Sequence, residues 1–164
     1  MDIEGLGAAI VDTLIEKGHI KSPADICYLT LDDLKSLWKS GETAAKKLLA
    51  SIEESTDRDV SRLIYALGIR QVGAKTGKVL AGTFGSMDAL MNASLEDLTQ
   101  VNDVGEITAR NIADWFAQSQ AKELIERLRR ADVNFTSTTT VTDQRFAGLT
   151  FVLTGALTRF TRDE

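Results

Sequence analysis

The sequence predicts an all-α fold built from tandem units of helix, tight turn and helix, and three observations predict it. A glycine recurs at Gly7, Gly41, Gly73 and Gly105, with spacings of 34, 32 and 32 residues. Small or apolar residues follow the glycines at offsets of three, four and seven, which is one face of a helix. Residues typical of helix N-caps stand ahead of the intervening apolar stretches.

The first unit is Ile3-Glu4-Gly5-Leu6-Gly7, followed on one helical face by Ile10, Val11 and Leu14. Ser22, with Pro23 at the first helical position and Asp25 three residues on, marks another helix start, and Thr30 with Asp33 marks a further one. The second turn, Trp38-Lys39-Ser40-Gly41, leads to Ala44, Ala45 and Leu48. Val60, Leu63, Ile64 and Leu67 form the apolar face of the helix entering the third turn, Ile69-Arg70-Gln71-Val72-Gly73, with Thr76, Gly77 and Leu80 beyond it. Ser94 with Asp97 caps a helix carrying Leu95, Leu98 and Val101, and the fourth turn, Val101-Asn102-Asp103-Val104-Gly105, leads to Thr108, Ala109 and Ile112. A last helix buries Leu124, Ile125 and Leu128, with Glu123/Arg127 and Glu126/Arg130 spaced for ion pairs along it.

The helical domain so defined covers 1–135. Thr136 to Gln144 is polar and β-branched with little to bury, so 136–145 reads as a linker. In the remaining 146–164, Leu149-Thr-Phe-Val-Leu153 is a short apolar run ending at Thr154-Gly155, which predicts a buried strand and a turn.

Composition narrows the function. Apolar residues make up 43 % and charged residues 26 %, values of a globular chain. No apolar run approaches the roughly 18 residues of a membrane span, and Met1-Asp2-Ile3-Glu4 lacks the basic opening of a secretion signal. A soluble, cytoplasmic monomer with no membrane partner is expected. Cys27 is the sole cysteine and His19 the sole histidine, too few for a zinc cluster; both read as structural, Cys27 as a small buried residue. Nineteen basic against 24 acidic residues leave a formal charge of −5, which excludes grip on nucleic acid by bulk positive charge. Any such binding has to be local.

The turns offer a local means. A glycine-bearing loop before a helix leaves backbone N–H groups free at the positive end of that helix, a natural seat for phosphate. Candidate contacts are Gly5, Leu6 and Gly7 in the first turn, Ser40 and Gly41 in the second, Val72 and Gly73 in the third, and Val104 and Gly105 in the fourth. Lys46, Lys78 and Arg110 share one position, five residues beyond the glycine. Arg70, Lys75 and Lys78 surround the third turn with no acid between Gly68 and Leu80, so turns two and three are expected to dominate. Phosphates carry no base information, so binding would be non-specific in sequence and sensitive to salt.

The period, the turn Ile3-Glu-Gly-Leu-Gly7, the segment Ala66-Leu-Gly-Ile-Arg-Gln-Val-Gly73, Phe84-Gly-Ser86, and Glu123-Leu-Ile-Glu-Arg-Leu128 with Val133-Asn134 resemble the helix-hairpin-helix domain of bacterial NAD-dependent DNA ligases. Gly148-Leu-Thr-Phe-Val-Leu-Thr-Gly155 with Arg162-Asp-Glu164 resembles the opening of that family's BRCT domain. The resemblance implies four hairpins seated in the minor groove on both sides of a nick in double-stranded DNA. Lys39, Gln71 and Asp103 stand where an ideal hairpin has glycine. It also implies a fragment of a longer enzyme, partnered by the remaining ligase domains. For the parent the resemblance implies NAD, magnesium and zinc; no Lys-x-Asp-Gly adenylation motif and no four-cysteine cluster occurs in this sequence. The fragment itself is expected to hold no catalytic residue, metal or cofactor.

Two alternatives differ in class. Val104-Gly-Glu-Ile-Thr-Ala109 is also similar to the hairpin of base-excision glycosylases, but their catalytic Asp has no counterpart between Trp115 and Ala131. The acidic residues around turns one and four suit a helical protein-binding module, which salt-sensitive binding of random-sequence duplex would separate from the DNA reading. Trp38, Trp115 and Phe116, at helical spacing, read as core rather than as base-stacking groups.

Overall fold

The computed structural model describes residues 1–37 and 41–138. Its helices are α1 (Ala8–Glu16), a 3-10 helix (Pro23–Tyr28), α2 (Leu31–Lys35), α3 (Glu42–Thr56), α4 (Val60–Ala66), α5 (Ala74–Phe84), α6 (Met87–Met91), α7 (Leu95–Thr99), α8 (Glu106–Ala117) and α9 (Ser119–Arg130). The fold among the described residues is helical, with one isolated bridge between Ser86 and Thr136. None of these helices is long and apolar enough to cross a membrane. Trp38, Lys39, Ser40, the linker from residue 139 onward and the strand expected at Leu149 to Leu153 lie outside the described residues.

Two apolar cores organise the chain. Leu14, Ile20, Leu29, Leu34, Ala45, Leu48 and Ile52 close the first pair of hairpins. The second core runs from Val60, Leu63 and Ile64 through Leu80, Leu98 and Ile112 to Ile125. Full burial of each leucine contributes about 2 kcal/mol, so a core of this kind outweighs any single surface contact. The 3-10 helix bridges the two cores: its Ala24 is fully buried in the second while Ile26 packs against the first.

Local chemistry sets the helix ends. Gly18, at φ 76°, ends α1 in a Schellman motif, with His19 N–H donating to Leu14 O at 2.9 Å and Gly18 N–H to Ile15 O at 2.9 Å. Thr30 and Ser94 form the expected capping boxes with Asp33 and Asp97. Ser22 and Asp25 form the expected capping box as well, and it gains a partner from another helix. Asp25 accepts from the Ser22 and Lys21 amides at 2.7 Å each, and the Ser22 hydroxyl also accepts from Arg127 of α9 at 2.8 Å. Arg127 also pairs with Asp25, and Tyr28 Oη donates to the Arg127 carbonyl at 2.8 Å. The ion pair expected between Glu123 and Arg127 is replaced by this longer-range contact, which offers Arg127 a carboxylate only 20 % exposed in place of one on the open face of its own helix.

Close approach of α4 and α5 depends on Gly77. A Cβ there would stand 2.9 Å from Ser61 O, inside any normal contact distance. Ala45 and Ala109, both fully buried, occupy the same position in their hairpins. Small residues at this offset let the paired helices touch.

After α9 the chain folds back along α4 and α6. Val133 and Phe135 enter the second core, Met87 N–H donates to Phe135 O at 2.9 Å, and Ser137 N–H donates to Gly85 O at 2.8 Å. Residues 136–138, the start of the expected linker, are therefore bound to the helical body. Asp59 caps α4 by accepting from Ser61 N–H at 2.8 Å and also accepts from Thr138 N–H at 2.6 Å. Burial opposes its ionisation, but these donors hold the carboxyl well below the usual carboxylate range.

Candidate nucleic-acid interface

Three of the four turns share one backbone geometry. Gly5, Gln71 and Asp103 have φ of 83°, 65° and 63°, in the left-handed region. The next residue closes each turn: Leu6 N–H donates to Ile3 O at 3.1 Å, Val72 to Ile69 O at 3.0 Å, and Val104 to Val101 O at 3.0 Å. Gly7, Gly73 and Gly105 then sit at the N-caps of α1, α5 and α8 in extended backbone, with ψ of 169°, −179° and 172°. Val72 and Val104 are each 5 % exposed and Leu6 packs against the first core, so the apolar residue anchors the turn from inside.

Gln71 and Asp103 thus adopt the conformation that Gly5 takes without strain. A non-glycine residue there costs on the order of 1 kcal/mol, and each is held by contacts from the neighbouring hairpin. Gln71 Oε1 accepts from Thr108 Oγ1 at 3.1 Å, and Asp103 Oδ2 lies 2.6 Å from Lys75 Nζ. Departure from the glycine pattern leaves the turn shape intact.

This shape leaves donors pointing away from the protein. The amides of Gly7, Ala8 and Ala9, of Gly73, Ala74 and Lys75, and of Gly105, Glu106 and Ile107 donate to no partner within the described residues. All nine residues are exposed. Such amides at a helix start combine orphan donors with the positive end of the macrodipole. Gly41 is also the N-cap of its helix, α3, but with φ −105° and ψ 28°; Ser40 beside it lies outside the described residues.

The charged candidates separate into tied and untied groups. Lys46 pairs with Glu42 at 2.7 Å and Arg110 with Glu106 at 2.7 Å, both across one turn of helix. The corresponding position beside the third turn is Ala74, so Lys78 is left without an acidic partner among the described residues. Hydrogen bonding and charge from Lys46 hold the Glu42 carboxyl below its ordinary value. Lys75, free of acid in its own segment, meets Asp103 of the fourth turn. Arg70 is exposed, and its carbonyl accepts from Asn111 Nδ2 at 3.3 Å. Turns three and four are thereby fastened side by side.

Lys47, which stands near the second turn with Lys39 and Lys46, is not among the candidate contacts above. Lys47, rather than Lys46, shares an open groove with Glu4, Gly5, Ala44 and Ser51 beside the first turn. Its counterpart in the second pair is Asn111, which faces Gln71 across the same relation. The signal was present as the offset of six from each glycine, which falls on the flank of the helix facing the preceding turn. Trp115 and Phe116 belong to the second core, their rings meeting edge to face at 5.0 Å, as expected of core aromatics.

Comparisons with known proteins agree with this division. A model of a SAM-like helix-hairpin-helix tandem matches residues 1–54, and one of the helix-hairpin-helix motif matches residues 62–125, following the two cores. A protein named DNA ligase from Thermoanaerobacter sp. (strain X514) is 46 % identical over 165 residues, covering 100 % of this chain and 25 % of the relative. DNA ligases from Acetivibrio thermocellus and Acidobacterium capsulatum are each 44 % identical, over 168 and 164 residues, again covering the whole chain and 25 % and 24 % of the relatives. The chain spans about a quarter of the length of the curated relatives it matches.

Proposed function

We infer that this chain, which belongs to the DNA ligase family as its helix-hairpin-helix segment, holds duplex DNA without regard to base sequence while the rest of a ligase closes a nick. The observation that carries this reading is the repeated turn of Gly5–Gly7, Gln71–Gly73 and Asp103–Gly105, each aiming unengaged amides outward from a helix start.

Such a turn binds a phosphodiester with little side-chain charge. The amides donate to its oxygens, the helix dipole favours the anion, and no long cationic side chain has to be ordered. An acidic chain can then hold a polyanion, with Lys47, Arg70 and Lys78 adding charge at separate points. Contacts to phosphate position the protein on any sequence, as a nick-sealing enzyme requires. NAD as adenylate donor, magnesium and zinc belong, on this reading, to other parts of the parent, and cytoplasmic replication or repair is its setting.

Fluorescence anisotropy of the whole chain on a labelled random duplex tests the proposal. The logarithm of affinity should fall linearly with the logarithm of salt concentration. Incubation with NAD should leave the intact mass unchanged. Binding that ignores salt would favour the protein-interaction module instead.

A further inference from the structure

We infer that the groove between α4 and α5 is a further phosphate seat, in which Arg62 and Lys78 carry the duplex backbone onward from the third turn. The inference rests on the duplex reading and extends it to a surface outside the hairpin turns. The groove is open, about 580 Å3, and is lined by Arg58, Asp59, Ser61, Arg62, Lys78, Ala81, Gly82 and Ser137. Its floor is low because Gly82 carries no side chain and an added Cβ there would meet nothing within 4 Å.

Charge in the groove is unbalanced toward the positive. Arg62 and Lys78 are exposed and pair with no acid among the described residues. Arg58 is turned to the Asp2 carbonyl at 2.7 Å and lies 3.9 Å from the Asp2 carboxylate. Asp59 is the one carboxylate lining the groove, and its acceptors are engaged by Ser61 N–H and by Thr138 N–H and Oγ1, at 2.8, 2.6 and 3.0 Å. Lys46, Arg110, Arg127 and Arg129, by contrast, each sit beside an acid. Two unpaired cations facing one groove in an acidic chain call for an anion from outside.

Position identifies that anion. Lys75 and Lys78 are three residues apart on α5 and so lie on one face. A strand whose phosphate sits on the Gly73, Ala74 and Lys75 amides therefore runs along this face toward Lys78, with Arg62 on the opposite wall. The ligand class is a phosphodiester of the bound strand.

The experiment is a salt titration of duplex affinity with the whole chain. Replacing both residues, Arg62→Gln with Lys78→Gln, should lower the log–log slope by about 0.9 for each phosphate that is no longer neutralised. Between 50 and 200 mM salt the wild type would then lose about tenfold more affinity than the variant. Lys122→Gln with Arg130→Gln, the same charge change on α9, should leave the slope unchanged, and Lys78→Arg should retain it. An equal fall in slope in both double variants, or no fall in the first, would overturn the groove while leaving the duplex reading standing. A wild type indifferent to duplex at low salt would overturn both, and capture of poly-glutamate instead would assign the groove to a carboxylate partner.

Discussion

Lys75 Nζ lies 2.6 Å from Asp103 Oδ2, so the third and fourth hairpin turns are joined at their tips by an ion pair. Lys75 is 82 % exposed and Asp103 44 %, which places this pair on the surface proposed to meet phosphate. An incoming phosphate competes with Asp103 for the same ammonium.

Asp103→Gly should therefore strengthen duplex binding. The substitution relieves a left-handed backbone, frees Lys75 and removes a like charge from the path of the strand. Exposed ion pairs are worth about 0.2–1 kcal/mol, so a gain of about 1.4- to fivefold at low salt is expected. Anisotropy titration against the same duplex measures it; an unchanged or weakened affinity would show that the fourth turn makes no approach to the strand.

Gly77→Ala should destabilise the second hairpin pair by about 1–3 kcal/mol, since the new methyl meets Ser61 O at 2.9 Å. Gly82→Ala, five residues on in the same helix, has open space and should stabilise by about 0.5–1 kcal/mol. Urea unfolding midpoints of the two variants should move in opposite directions.

Hydrogen bonds from the Lys21 backbone and from Arg127, together with the Ser22 amide, hold the Asp25 carboxyl at about 2 against an ordinary 3.8. A depressed carboxylate contributes stability that is fully present above its unfolded value and is lost as pH falls through the folded one. The melting temperature should accordingly fall between about pH 4 and pH 2, and Asp25→Asn should flatten that part of the curve. The same variant should lose about 1 kcal/mol at neutral pH. Melts across the acid range would expose an equally steep fall in the variant, which would exclude this carboxyl as the cause.

Lys47→Gln should weaken duplex binding more than Lys46→Gln. Lys46 already pairs with Glu42 at 2.7 Å, whereas Lys47 faces the groove beside Gly5. Parallel salt titrations should give a slope smaller by about 0.9 for Lys47→Gln and a lesser change for Lys46→Gln.

Much of the candidate site is legible in the sequence. The turn at Ile69–Gly73 can be read because its conformation follows from neighbours: an apolar anchor at Val72, a glycine at the cap, and apolar residues on one helical face. Three turns share the geometry even though Gln71 and Asp103 replace glycine, because hydrogen bonding and charge from the adjacent hairpin support the left-handed residue. That support is invisible in the third turn's own segment, where Lys75 has no acid within reach. Helix α6 has no strong pattern to announce it, since five residues offer too few repeats for a helical period.

By itself the sequence determined the all-α fold, the phase of the hairpins, the caps at Thr30 and Ser94 and the buried faces. Each depends on contacts within about one helical turn, which a periodic pattern records directly. Tertiary structure alone decided the charge pairs that join distant segments. Asp25 meets Arg127 across 102 residues, Asp59 captures Thr138 across 79, and Lys75 reaches the neighbouring turn. Charges have no period, and their partners are chosen by where the helices pack, so only the folded chain reveals that Arg62 and Lys78 are left facing one groove.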